Sequence, residues 1–215
     1  MPRQNRVTPF GDIIAVSERG TAMGNRGSLH DEAGRIRRPW QVKRWLICRL
    51  EFRGRQRLIM APNRYTELFF LDEATALAAG HRPCFECRRS SYRNFVNAWA
   101  LVNSNTPGIR QPTAASIDNV LHGERIDPAG RKQTYQALID ELPDGVFVSL
   151  EETGAMLIWK RKLLGWSPAG YVECRPLPRG EKVNVLTPPS SVAVIRAGYP
   201  PGVHLSAEGT LARRS

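Results

Sequence analysis

Two cysteines three positions apart, Cys84 and Cys87, are the residues of this chain best suited to chemistry. Pro83 restricts the backbone just before the first thiol. Two thiols at this spacing on a tight turn can bind one ion, which is how half of a tetrahedral zinc site is built. A redox pair has the same spacing, but no thioredoxin-like strand and helix precede it. We therefore predict a zinc site in which thiolates dominate.

The residues before this pair predict the elements that hold it. Asp72 is a good N-cap for a short helix, and Glu73 lies in its first turn, where a carboxylate meets the positive end of the helix dipole. The following residues are mostly alanine and leucine, and Gly80 stands where a left-handed residue ends a helix. The pattern predicts the end of a strand, a short helix, a glycine stop and then the cysteine turn.

This stretch resembles the metal-binding domain of Ada-type DNA repair proteins, which carries a strand, a short helix with A-L-A-A-G, and R-P-C-x-x-C. The resemblance covers about residues 48–90. The positions that match it are Phe69, Ala76, Leu77, Ala78, Ala79, Gly80, Arg82, Pro83, Cys84 and Cys87. It implies a similar local fold and half of a four-cysteine zinc site.

The other half of that site is missing from this chain. In the family an earlier C-x-x-x-C completes the zinc site, and one of its cysteines takes a methyl group from a DNA methylphosphotriester. The family's spacing places Arg53 and Arg57 at those positions, and the nearest earlier thiol is Cys48. The resemblance therefore does not carry over the methyl-accepting chemistry.

Cys48 is the best candidate for a third ligand, beside Cys84 and Cys87. It lies in residues 45–52, which we predict to form a β-hairpin with residues 56–61 around a turn at Arg53-Gly-Arg. Strand alternation places Cys48 with Leu46 and Leu50, so a small buried hydrophobic residue is the alternative reading. His81, His30 and Cys174 are further candidate ligands, and packing without any ion is a further possibility.

Positive charge is concentrated in the first part of the chain. Lys and Arg number 31 against 20 Asp and Glu, a net charge of +11. Residues 1–64 contain 14 of the basic and 5 of the acidic side chains. Arginine matches phosphate geometry, so this imbalance favours nucleic acid, most simply DNA, as a partner. The candidate phosphate contacts are Arg53, Arg55, Arg57, Arg88 and Arg89; a solvated surface is the alternative.

The remaining patterns predict an α+β fold. Residues 17–31 contain several glycines and indicate a flexible loop, whereas residues 92–102 and 115–125 are predicted helices and residues 133–141 a further one. From residue 142 short strands alternate with turns. We therefore predict an Ada-like, basic domain over residues 1–141 and a β-rich subdomain over residues 142–215, packed on the first.

These observations lead to three functional hypotheses. The first is a zinc-binding and nucleic-acid-binding protein without chemistry of its own. The second is a DNA repair methyl acceptor that uses a zinc-activated thiolate, with Cys48 as the candidate nucleophile. The third is a protein whose zinc site is purely structural and whose partner is a small molecule or another protein. No signal peptide or long apolar run appears, so a cytoplasmic location is expected.

Overall fold

Two β-sheets and five α-helices form the protein in the computed structural model, which describes residues 1–54, 56, 58–103, 112–150 and 154–212. The α+β class is therefore confirmed. Arg55 and Arg57 lie outside the described residues, so their predicted phosphate contacts stay predictions. None of the helices in the described part of the chain has the length and hydrophobicity needed to cross a membrane.

The first sheet contains the candidate metal ligands and is built from short strands. Along the described chain these are β1 (Gln4–Val7), β2 (Ile13–Ala15), β3 (Ala22–Asn25), β4 (Leu46–Cys48), β5 (Leu68–Phe70) and β6 (Arg82–Pro83). Their spatial order is β2-β1-β5-β3-β4-β6. β1 and β5 run parallel, as do β4 and β6, while the other neighbouring pairs are antiparallel.

Strand β3 corrects the prediction of a flexible loop over residues 17–31. It lies inside the sheet, between β5 and β4, and Ala22, Met23 and Gly24 are buried. Gly24 serves close packing here, because a Cβ atom on it would lie 2.1 Å from the carbonyl oxygen of Leu46. The glycine that suggested a loop therefore allows two strands to approach.

The predicted hairpin between residues 45–52 and 56–61 is wrong. Strand β4 forms where it was expected, but its two edges pair with β3 and β6, which leaves no edge for a returning strand. Near the expected return, Met60 has a left-handed backbone (φ 58°) and its N–H donates to Glu67 at 2.7 Å. That backbone conformation interrupts an extended strand.

The predicted helix before the cysteine turn is confirmed. Helix α1 spans Glu73–Ala78, and the Asp72 carboxylate accepts the N–H of Thr75 at 2.8 Å, as an N-cap does. Gly80 follows with a φ of +84°, the left-handed conformation expected of it. The next two predicted helices are also present, as α2 (Arg89–Val102) and α3 (Ala114–Arg125).

The second sheet holds the strands predicted beyond residue 142 and one that was not predicted. In the described ranges it comprises β7 (Tyr135–Leu138), β8 (Phe147–Leu150), β9 (Gly154–Trp159), β10 (Lys162–Ser167), β11 (Gly170–Pro176) and β12 (Lys182–Val185), in the order β11-β10-β9-β8-β12-β7. A predicted helix over residues 133–141 is wrong, because β7 pairs with β12 and only Ile139–Glu141 is helical, as a 3-10 turn.

The two predicted domains share one hydrophobic core. The second sheet begins with β7, before the predicted boundary at residue 142. One buried cluster joins Val7 and Phe70 of the first sheet to Val148 and Ile158 of the second. Helix α4 (Pro189–Arg196) packs on this cluster through Val192, and the last helix of the described chain is α5 (Ser206–Ala212).

Candidate metal centre

Strand pairing brings the three candidate ligands together. Leu46 pairs with Arg82 and Ile47 with Pro83 along the parallel strands β4 and β6, so Cys48 and Cys84 follow in the same register. The Cys84 N–H donates to the carbonyl oxygen of Ile47 at 2.9 Å, which holds the two thiol-bearing segments side by side. Cys48 thus reaches Cys84 through sheet pairing, without the hairpin expected to deliver it.

Cys48, Cys84 and Cys87 form a group whose sulfur atoms all lie within 4.8 Å of one another. Sulfur ligands at a zinc bond length of about 2.3 Å and tetrahedral angles lie about 3.8 Å apart, so this spacing fits a metal ion. None of these thiols forms a disulfide. Three cysteines placed in this way can hold a metal ion.

The surroundings of the three sulfurs suit ligands better than reactive surface thiols. Cys48 and Cys84 are each 8% exposed, and Met23 is buried with them in one apolar cluster against which Phe69 and Leu46 pack. The row from Phe69 to Met23 to Cys48 crosses neighbouring strands of the sheet in register. An apolar shell of this kind limits the access of water and strengthens electrostatic interactions within the group.

Hydrogen bonds to Cys84 favour its thiolate form. They come from the thiols of Cys48 and Cys87 and from the backbone N–H groups of Cys87 and Glu86, and they lower the pKa of Cys84 to about 2. The proton stays with the other thiols: hydrogen bonding to Cys84 raises the pKa of Cys48. Backbone N–H groups that point at a sulfur are the partners that thiolate ligands of metals need.

The other candidate ligands lie elsewhere. His81 is fully buried, and its Nε2 accepts the N–H of Arg26 at 3.2 Å. His30 hydrogen-bonds Thr66 and the carbonyl oxygen of Ala61. Cys174 is buried in a separate apolar cluster of the second sheet. Among the residues that the structure describes, the group of possible metal ligands therefore consists of the three cysteines.

Arg82 anchors the cysteine turn to helix α3. Its guanidinium donates two hydrogen bonds to the Asp118 carboxylate, at 2.8 and 2.7 Å, and a third to the carbonyl oxygen of Pro83 at 3.1 Å. Arg82 and Asp118 are both buried. This bidentate pair fixes the backbone at the point where the turn leaves β6, so the thiols are held in place before any ion binds.

The predicted phosphate-binding arginines differ in how freely they can act. Arg53 and Arg89 are exposed, and each guanidinium lies over a phenylalanine ring, that of Phe52 at 5.0 Å and that of Phe85 at 5.4 Å. Arg88 is 18% exposed and pairs with the buried Glu73 at 2.8 Å. Arg53 and Arg89 are thus available to a partner, while Arg88 is already engaged by an internal carboxylate.

An exposed aromatic residue and a cavity adjoin the cysteines. Phe85, between the two cysteines of the turn, is 56% exposed and packs edge-on against Tyr92. Cys48 lines a cavity of about 280 Å³ together with Arg49, Arg88, Arg89 and Ser90. Neither Phe85 nor Arg49 was predicted to be functional. The position of Phe85 between the two cysteines was the sequence feature that could have identified it.

Comparisons with protein-family models, with curated proteins and with solved structures gave no match for this chain. The resemblance of residues 48–90 to the Ada-type metal-binding domain therefore stays a prediction. Any statement on function therefore rests on the geometry of the three thiols and of the side chains around them.

Proposed function

We propose that this protein binds zinc through Cys48, Cys84 and Cys87, and that the surface around these ligands binds nucleic acid without catalysing a reaction. The observation that carries the proposal is the group of three sulfurs within 4.8 Å of one another. Thiolates favour zinc over the hard cations Mg²⁺ and Ca²⁺, which prefer oxygen ligands. Zinc bound here would tie β4 to the cysteine turn and leave one of its four positions to another ligand.

The nucleic-acid part of the proposal rests on the side chains that surround this group. The exposed Arg53 and Arg89 carry charge without a carboxylate partner among the ion pairs of the described residues, and the Phe85 ring beside Arg89 is 56% exposed. Arginine and aromatic side chains on one surface suit a single strand, whose phosphates meet the cations and whose bases stack on the ring. DNA is the form that the Ada-type resemblance favours.

Zinc binding is tested by native mass spectrometry with metal analysis on the wild type, Cys48→Ser and Cys174→Ser. We expect one zinc ion per wild-type chain, loss or weakening of binding in Cys48→Ser, and full occupancy in Cys174→Ser. The second variant is the matched control, because Cys174 is also buried but lies in another cluster. A metal-free wild type, or equal loss in both variants, would rule out the site.

Nucleic-acid binding is tested by its dependence on salt. The double variant Arg53→Gln and Arg89→Gln should bind single-stranded DNA more weakly, and the slope of log K against log[salt] should fall by about 0.7 for each lost phosphate contact. Arg161→Gln with Arg179→Gln removes the same charge from turns of the second sheet and should change little. Equal effects of the two double variants would contradict a local binding surface.

One observation favours the methyl-acceptor alternative. Cys48 lines the cavity of about 280 Å³ that also contains Arg49, Arg88 and Arg89, so a thiol and phosphate-binding groups share one space. In this reaction Cys48 would lose its proton to solvent on binding zinc, and the resulting thiolate would attack the methyl carbon of a DNA methylphosphotriester. An S–C bond forms, the C–O bond breaks, and the phosphodiester leaves as an anion. A gain of one methyl mass on the Cys48 peptide after incubation with such DNA supports it, and binding without that gain supports the non-catalytic function.

A further inference from the structure

A second cluster of functional side chains lies on the opposite face of the first sheet. Side chains alternate along a strand, so Met23 and Cys48 face the metal centre while residues one position away face the other side. Trp45 precedes β4 by one residue and Arg26 follows β3 directly, and both belong to this other side. They are joined there by Arg125 at the end of α3 and by Lys132.

These four side chains line one cavity of about 530 Å³. This volume lies within the range of about 300–1,000 Å³ that is typical of sites for small molecules. Phe10 and Trp40 form part of its wall, and Asp12 lies in the turn that leads to β2. The cavity is therefore large enough for a ligand and has both charged and aromatic surfaces.

The charged part of the cavity is cationic and buried. Arg26 and Arg125 are each 1% exposed, and both guanidinium groups lie over the ring of Trp45, at 4.0 and 3.9 Å from its centroid. The Lys132 ammonium donates to the carbonyl oxygen of Ala78 at 2.5 Å. Lys132 is partly exposed. Burying two guanidinium groups beside a third cation is costly unless anions accompany them.

The hydrogen bonds of these cations leave donors unused. Arg26 donates to His81 and to the carbonyl oxygen of Gly11, but its Nη2 is buried without a partner among the described residues. Arg125 donates to the carbonyl oxygens of Gly80 and Lys43, and its Nε is likewise buried and unpartnered there. Buried donors of charged groups without an acceptor are rare in native proteins.

The protein supplies little negative charge to the cluster. Asp12 is the one carboxylate among the residues that line the cavity, and it is exposed to solvent. Burial and the two neighbouring cations, Arg26 and Arg125, lower the pKa of Lys132 to about 7, an effect that Asp12 opposes. His81 faces the same cations; its pKa is well below its usual value, so it is neutral. The three cations thus face a single lining carboxylate, which is exposed to solvent.

We propose that this cavity binds the phosphate group of a nucleotide-sized ligand, with Arg26, Arg125 and Lys132 as its phosphate-binding side chains. Phosphate offers the several acceptor oxygens and the negative charge that three buried donors require. The ligand's ring would lie near Trp40, because two guanidinium groups already lie over the ring of Trp45. This inference is independent of the proposed function, which concerns the other face of the sheet.

The proposal is tested by calorimetric titration of the wild type, Lys132→Met and Asp12→Asn with a nucleoside 5′-monophosphate and with the unphosphorylated nucleoside. We expect the monophosphate to bind at least about tenfold more tightly than the nucleoside. Lys132→Met should weaken its binding by about tenfold, and Asp12→Asn, which removes the opposing carboxylate, should strengthen it. Lys182→Met is the matched control, because Lys182 is exposed on β12.

Equal affinity for the nucleoside and its monophosphate would overturn the proposal, as would equal effects of Lys132→Met and Lys182→Met. Asp12→Asn keeps the test valid if Lys132→Met folds poorly, because Asp12 is exposed. A free nucleotide and the 5′-phosphorylated end of a strand present the same chemistry. If the mononucleotide binds more tightly than a 5′-phosphorylated oligonucleotide, the ligand is a free nucleotide. If the 5′-phosphorylated oligonucleotide binds more tightly than both the mononucleotide and a 5′-hydroxyl oligonucleotide, the ligand is the end of a strand.

Discussion

Replacing Lys132 by methionine should change how the stability of this protein depends on pH. The Lys132 side chain is half-buried beside Arg26 and Arg125, and desolvation followed by repulsion from these two cations lowers its pKa from 10.5 to about 7. Between these values the unfolded chain binds more protons than the folded protein. The free energy of unfolding of the wild type therefore rises with pH from about 7 towards 10.5.

The size of this effect follows from the pKa difference. One pKa unit corresponds to about 1.4 kcal/mol, so the Lys132 contribution to the free energy of unfolding should rise by about 1–2 kcal/mol between pH 7 and pH 9, a value reduced for the partial exposure of the side chain. Arg26 and Arg125, each with a pKa lowered to about 9 mainly by burial, act in the same direction. Both remain in the variant, so their contribution largely cancels in the comparison.

The assay is urea denaturation of the wild type and Lys132→Met at pH 7 and pH 9, in chloride buffer without phosphate. We expect the gain in the free energy of unfolding from pH 7 to pH 9 to be about 1–2 kcal/mol larger in the wild type. Lys182→Met should behave like the wild type, because Lys182 is exposed. Equal gains in the wild type and Lys132→Met would show that the Lys132 ammonium is not buried among cations and would refute this reasoning.

Two further substitutions test how the sites are held. Gly80→Ala should lower the free energy of unfolding by about 2–4 kcal/mol in urea denaturation, because Gly80 has a φ of +84° and a Cβ atom there would lie 2.5 Å from Cδ of Arg125. Gly34→Ala is the control: Gly34 has a φ of +75° but open space around it, so this substitution should lower the free energy of unfolding by only about 1 kcal/mol. Asp118→Ala should cost about 3–5 kcal/mol because it leaves Arg82 buried and unpaired, and the double variant Asp118→Leu with Arg82→Met should recover much of that loss.

The three-cysteine group and the cationic cavity share the strands that support them. At β3, Met23 lies on the face of the cysteines and Arg26 on the face of the cavity. At β4, Cys48 and Trp45 are divided between the two faces in the same way. The Arg82–Asp118 pair and the contact of Gly80 with Arg125 both connect α3 to the segment between α1 and the cysteine turn. A ligand at one face can therefore stabilise the elements that hold the other.

Local features of the sequence were sufficient to predict α1 and the cysteine turn. Asp72 as N-cap, Gly80 as a left-handed stop and the Cys84–Cys87 spacing all act within a few residues, so their effect does not depend on distant parts of the chain. The strands beyond residue 142 were predictable for the same reason, because turn residues separate runs of apolar residues. Strand alternation correctly placed Cys48 on one face with Leu46, whereas Leu50 lies beyond the end of β4 and is exposed.

Only the tertiary structure decided which residues meet. Strand β3 resembles a loop in sequence because its small residues serve close packing. Strand β7 was predicted as part of a helix because the strand that pairs with it, β12, lies more than forty residues later and leaves no local signal. Cys48 reaches Cys84 by the register of parallel strands, which no local signal encodes. Arg26 lies about a hundred residues before Arg125 and Lys132, and only folding gathers these three basic residues into a cluster with a single lining carboxylate, Asp12. Long-range pairing and burial are properties of the folded chain, and both sites depend on them.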